Sequence, residues 1–253
     1  QPLLVGGNPF DTTSIYSLIH YLERQWGVHF PIGGTGALVH ALGQLLDEEG
    51  IVVCLDTTVE RVEVTEGRAS GVRLAGGARM PAEIVVANAD APFLYRHMVD
   101  RAHRRTWTDR RLERLRYSMG LFVLYFGTTR RYPDVAHHTI VLGPRFRGLL
   151  DDIFHHGVLA EDMSLYLHRP TSTDPAMAPP GCDAWYVLVP VPNSRDGVRV
   201  AWEAGEEGID WARIGPLFQQ RVLRRLEETV LPGLSGCVTE AFHVTPDDFR
   251  SRF

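Results

Sequence analysis

The sequence predicts a mixed α/β protein of the α+β kind, and three observations carry that expectation. Two early segments, 11–25 and 35–49, repeat apolar residues at helical spacing. Valines alternating with charges in "VERVEVTEGRASGVRL" have the period of a half-buried β-meander. The second half strings aromatic and aliphatic runs between Pro- and Gly-rich loops, with amphipathic helices among them, as in a mostly antiparallel sheet with helices packed on it. At 253 residues the chain can build one large domain or two modest ones.

In order, Asp11, Thr12 and Ser14 offer N-cap oxygens to a first helix running from Asp11 to Gln25, with Ile15, Leu18, Ile19 and Leu22 on one face. Gly27 stops it, in a stretch containing Trp26, His29 and Phe30. "FPIGGTGALVHAL" then feeds a second helix, Thr35 to Glu49, with Leu38, Val39, Leu42, Leu45 and Leu46 apolar and Gly50 at its end. "IVVCL", Ile51 to Leu55, reads as a strand buried on both faces in a parallel sheet. The meander follows, turning at Glu66-Gly67 and Gly76-Gly77, and leads to another buried strand, Ile84 to Ala87. A boundary is expected between Asp90 and Pro92.

Beyond it, "MGLFVLYFG", "HHTIVLG", "MSLYLHRP" and "AWYVLVPVP" read as strands of one sheet. "PRFRGLLDDIFHHG" and "ARIGPLFQQRVLRRLEETVLPG" read as helices packed on it. Phe122, Leu124, Phe126, Ile140, Leu165, Leu167, Tyr186, Leu188 and Val191 either form that sheet's core or line an elongated apolar cavity. Composition alone favours core.

Several function classes are excluded. A formal charge of -5 gives no basic footprint for nucleic acid. Cys54, Cys182 and Cys237 are too scattered for a disulfide framework or a cysteine zinc site, and fit a reducing cytosol. No run of 18 apolar residues occurs, so no transmembrane helix is expected. Gly34-x-Gly36 lacks the third glycine of a dinucleotide fingerprint, Val39 standing there after a poor strand. The pairs His137-His138 and His155-His156 lack i,i+4 spacing, and adjacent strand residues face opposite ways, so no metal site is expected. No nucleophile elbow is present, and Ser118, Ser164, Asp151-Asp152 and Asp247-Asp248 read as ordinary turn, cap or surface residues. The chain opens at Gln1 and closes on "DDFRSRF", and both ends read as cuts.

The combination of "LLVGGNPFDTTSIYSLIHYLERQWGVHFPIGGTGALVHAL", "VVANAD", "MGLFVLYFG", "AHHTIVLGPRFRGLLDDIF", "LYLHRPTSTDPAMAPPGCDAWYVLVPVPN" and "TPDDFR" resembles the bacterial-type phytoene desaturases, flavoproteins of the amine-oxidase-like superfamily. The resemblance runs the length of the chain and matches the middle of such an enzyme, without its N-terminal G-x-G-x-x-G or its C-terminal flavin segment. It implies a helical part of a substrate domain at 1–29 and an FAD-domain segment with parallel strands and meander at 30–90. The antiparallel-sheet substrate domain would occupy 91–253.

The implied cofactor is FAD. The implied cofactor-facing residues are Val59 at the adenine, Asn88 and Ala89 at a strand end, and Gly33 and Gly34 at the "GG" helix start. No catalytic residue is assigned. The implied partner is a long apolar polyene, dehydrogenated across a C–C bond, with no metal and no nucleic acid. Peripheral contact between a cytoplasmic enzyme and the membrane would run through 11–30, with Tyr21, Trp26 and Phe30. The rival readings are a non-catalytic isoprenoid- or lipid-binding module, and a related flavin-dependent isomerase, saturase or ketolase. The isolated chain is expected to be inactive and to bind FAD weakly or not at all.

Overall fold

The computed structural model describes residues 5–193, 198–202 and 208–252. They divide into two compact units, one formed by Gln1–Leu42 with Tyr117–Phe253, the other by Gly43–Arg116. These limits differ from the boundaries expected near residues 29 and 90. In chain order the helices are α1 (Ser17–Trp26), α2 (Gly34–Glu48), α3 (Ala91–Phe93), α4 (Asp109–Glu113), α5 (Phe146–Asp151), α6 (Trp211–Thr229) and α7 (Pro246–Arg252). The strands are β1 (Val59–Thr65), β2 (Arg68–Leu74), β3 (Arg79–Pro81), β4 (Gly120–Thr128), β5 (His138–Val141), β6 (Val158–Leu159), β7 (Leu165–His168), β8 (Asp183–Val191), β9 (Arg199–Val200) and β10 (Val238–Val244).

The first unit is built on a five-stranded antiparallel sheet in the order β10-β4-β8-β7-β5. Its strands alternate as a half-covered sheet should. On β8, Asp183, Trp185, Val187, Val189 and Val191 are buried while the residues between them are half-buried. That inward set joins Phe122, Leu124, Phe126, Leu165 and Leu167 in one core. Helix α6 closes the core with Trp211, Ile214, Phe218, Val222 and Leu226, spaced three or four apart on one buried face. Asp210 caps this helix, its carboxylate accepting from the backbone N–H groups of Ala212 and Arg213.

Asp183 is fully buried at the start of β8. It accepts from the Tyr132 N–H at 2.8 Å and the Thr171 hydroxyl at 2.6 Å, and faces buried Arg169 at 3.6 Å. A smaller cluster, Met119, Leu149, Ile153 and Ala160, packs with Leu121 and Phe154. Thr245 and Asp248 form a capping box at α7, the Thr245 N–H donating to Asp248 at 2.9 Å and the Asp248 N–H to the Thr245 hydroxyl at 3.3 Å. The acids at 247–248 are therefore helix-start residues, as expected.

Two details of the first unit depart from expectation. The first helix begins at Ser17 behind a 3-10 turn at Ser14–Tyr16, not at Asp11. Asn8 takes over the preceding residues with an Asx turn, its side chain accepting from the Phe10 N–H at 3.0 Å, and such turns compete with helix initiation. Strand β10 was not foreseen. It pairs with β4 on the sheet's edge, where one polar face is tolerated.

The second unit holds the meander β1-β2-β3, with Glu66 and Gly67 both at positive φ in the tight turn that twisted hairpins favour. Neither Ile51–Leu55 nor Ile84–Ala87 forms a strand, and Val52 and Val86 are 85% and 89% exposed. The parallel strands expected within 30–90 are thus not formed among the described residues. A strand buried on both faces needs a hydrogen-bonded neighbour at each edge, and no described strand pairs with either run.

Candidate functional site: an aromatic sheet face

The sheet face opposite α6 carries a row of rings that crosses all five strands. Register places His138 of β5 beside His168 of β7, His168 beside Tyr186 of β8, Tyr186 beside Tyr125 of β4, and Tyr125 beside Phe242 of β10. The ring centroids follow at 5.3, 4.5, 5.8 and 4.9 Å. Four gaps of the usual strand spacing make the row about 19 Å long. Tyr125 is 38% exposed and Phe242 60%, so the β10 end is open. Ile140, Tyr166, Leu188, Val123 and Val244 form a parallel second row by the same register. Burial raises the phenol pKa of Tyr166 and Tyr186, so both stay protonated and the face carries no charge from them.

The residues named from sequence as cavity or core separate by strand parity. Phe122, Leu124, Phe126, Leu165, Leu167 and Val191 are core, while Ile140, Tyr186 and Leu188 belong to the aromatic face.

At the β5 end three histidines meet. His137 Nε2 lies 2.6 Å from His168 Nε2, and the His137 and His138 rings are 4.4 Å apart. The opposite-face argument for adjacent histidines fails here because β5 begins at His138, which leaves His137 outside the pleat. Phe30 packs edge-on against His137 and His168, at 4.7 and 5.5 Å. The second pair behaves as surface residues: His155 meets Asp11 at 2.9 Å.

The glycine turn sits against the loop between β7 and β8. The Gly33 N–H donates to Asp174 at 2.7 Å. Gly34 is buried at φ 74°, and a Cβ there would lie 3.0 Å from Met177 Cε, so the turn needs a residue without a side chain. Val59, Asn88 and Ala89 lie in the other unit. Val59 opens β1, an edge strand whose outer side pairs with no described strand. Asn88 and Ala89 are exposed just before Asp90, which caps α3 through the Phe93 N–H.

A sheet-and-helix fold of this kind occurs in two solved structures. The chain superposes on an oxidoreductase from Methanosarcina mazei with a TM-score of 0.59 at 15% identity, covering 91% of this chain and 47% of that one. A Pyrococcus furiosus protein gives 0.59 at 12% identity, covering 88% and 45%. No protein-family profile matches the chain.

In sequence the chain is similar from end to end to phytoene desaturases. It is 43% identical to the neurosporene-forming enzyme of Rhodobacter capsulatus over 100% of this chain and 47% of that protein. It is 46% identical to the lycopene-forming enzyme of Pseudescherichia vulneris, over 98% and 48%, and 37% identical to the zeta-carotene-forming enzyme of Myxococcus xanthus, over 100% and 46%. The chain spans about half the length of these relatives.

Proposed function

We propose that this chain supplies the substrate floor of an FAD-dependent desaturase acting on phytoene or a related carotenoid precursor. The observation that carries the reading is the aromatic row, an uncharged strip of rings on a sheet, open at its β10 end, in a chain similar throughout to phytoene desaturases. A polyene offers no hydrogen-bonding group, so its binding rests on apolar burial, worth roughly 25 cal/mol for each Å² covered. The row presents ring faces over a length suited to an extended hydrocarbon. Those faces also favour positive charge developing on the chain as a hydride departs.

Bound flavin supplies the acceptor for that hydride. The free edge of β1 at Val59 suits an adenine edge held through backbone groups. Asn88 and Ala89, exposed before a capped helix, are the second proposed contact, and Gly33 and Gly34 the third. Because the Gly33 N–H is already engaged by Asp174, that turn offers close backbone approach rather than an amide for phosphate.

Among the described residues no helix is long and apolar enough to cross a membrane. Peripheral contact is proposed through 11–30, where Ile15, Leu18, Tyr21 and Trp26 are exposed on and before α1. Phe30 takes no part, being packed on the histidines. Expressing the intact reading frame in cells that accumulate phytoene tests the activity. Coloured products of higher unsaturation support it; unchanged phytoene beside a folded, flavin-loaded protein overturns it.

A further inference from the structure

His138 and His168 belong to the row on which the desaturase reading rests, and together with His137 their arrangement has a further chemistry of its own. His137, His138 and His168 each offer a ring nitrogen, and the three nitrogens lie within 4.8 Å of one another. We propose that His137, His138 and His168 form a three-imidazole site for one divalent transition cation of the zinc class, with a fourth position left to water.

The hydrogen bonding already has the form that such a site requires. His138 Nδ1 is paired with the Tyr166 hydroxyl at 2.6 Å, and His137 Nδ1 with the Thr173 hydroxyl. Each partner fixes its ring through Nδ1 and leaves Nε2 as the available ligand, as outer contacts of metal-bound imidazoles do. His168 is 6% exposed, and its Nδ1 has no partner among the described residues. Its proton can be placed in two ways. On Nε2, it bonds to His137 and orphans a buried lone pair at Nδ1. On Nδ1, it orphans a buried N–H, while His137 Nε2–H can donate to His168 Nε2 at 2.6 Å. Either way one buried polar atom of His168 stays unpartnered among the described residues, and a cation would take the place of the shared proton between the two Nε2 atoms. Zinc–nitrogen bonds of 2.0–2.1 Å in tetrahedral geometry hold the nitrogens about 3.3 Å apart, so the two rings need to open by less than about 1 Å.

The surroundings suit a cation bound by neutral imidazoles. His168 is buried and Phe30 packs edge-on against His137 and His168, so the cluster is partly shielded from water. Glu23 places negative charge near His138. Arg169, the positive group near His137, is paired with buried Asp183. The bound ion would tie the start of β5 to the end of β7.

Titrating the tag-free chain with Co²⁺, followed by its ligand-field absorption and by competition with Zn²⁺, tests the site. One equivalent should bind. His138→Ala, at an exposed position, and His168→Ala should each weaken binding at least about 10-fold, and Tyr166→Phe or Thr173→Val by about 10-fold as losses of orienting contacts. His155→Ala and His156→Ala should change nothing. A folded chain that gives no stoichiometric Co²⁺ spectrum overturns the proposal, as does wild-type affinity in His138→Ala. Should His168→Ala fail to fold, His138→Ala decides.

Discussion

The backbone N–H of Gly33 donates to the carboxylate of Asp174 at 2.7 Å, joining positions 141 residues apart. The other carboxylate oxygen caps the Ala176 N–H at 3.1 Å, so one side chain holds both the glycine turn and the loop before β8. Asp174 is itself buried. Hydrogen bonds to charged groups contribute about 1.5–3 kcal/mol, and Asp174→Ala should cost that much in urea unfolding. Asp174→Asn, which keeps an acceptor, should cost less. Equal losses in the two variants would contradict a contribution from a neutral acceptor at this position.

Asp183 and Arg169 are both buried beside Tyr132 and Thr171. Removing one partner leaves an uncompensated buried charge and two orphaned donors. Asp183→Ala should therefore destabilise by about 3–5 kcal/mol, the range for breaking a buried pair. A loss under 1 kcal/mol in unfolding free energy would show that the pair is hydrated.

Gly215 sits inside α6, where alanine would ordinarily gain about 1 kcal/mol. A Cβ at this position would lie 2.6 Å from His243 Nε2, in a ring stacked on buried Phe122. Overpacking costs about 1–3 kcal/mol, so Gly215→Ala should be destabilising on balance. A raised melting temperature would contradict this.

Burial lowers the pKa of His243 below 6.5, with Asp248 opposing weakly. The unfolded chain then binds the proton more readily, and folding stability falls as pH drops below about 6.5 until the folded-state value is passed. His243→Gln should flatten the pH dependence in that window by up to about 1.4 kcal/mol per pH unit. An unchanged profile would place the His243 ring in solvent.

Trp26 is 68% exposed at the end of α1. Trp26→Ser should reduce flotation of the intact protein with liposomes while leaving its unfolding midpoint unchanged. Undiminished flotation would remove 11–30 as the contact.

The parts of the fold legible in the sequence are those whose burial follows local alternation. Strands β4, β5, β7 and β8 declare themselves by aromatic and β-branched residues, and α6 by its spaced apolar face. The runs at 51–55 and 84–87 mislead because apolar composition records a tendency to be covered, whereas a strand also needs edge partners. Strand β10 was missed because Glu240 and His243 give an edge strand little apolar signal. The aromatic row and the histidine cluster arise from cross-strand register, which brings residues 30 apart, such as His138 and His168, side by side. No local spacing encodes that. The Met177 approach that requires Gly34 was equally invisible, since it depends on a loop far along the chain.

The central claim is that the open aromatic face holds the polyene. It is tested most directly by pigment chromatography of phytoene-accumulating cells expressing the intact protein, unchanged or carrying Tyr125→Asp or Phe242→Asp. Each substitution removes a ring pair at a partly exposed position and should cost about 0.5–1.5 kcal/mol in unfolding free energy. The account predicts desaturated products from the unchanged protein and accumulated phytoene from folded variants. Identical product profiles from all three would contradict it.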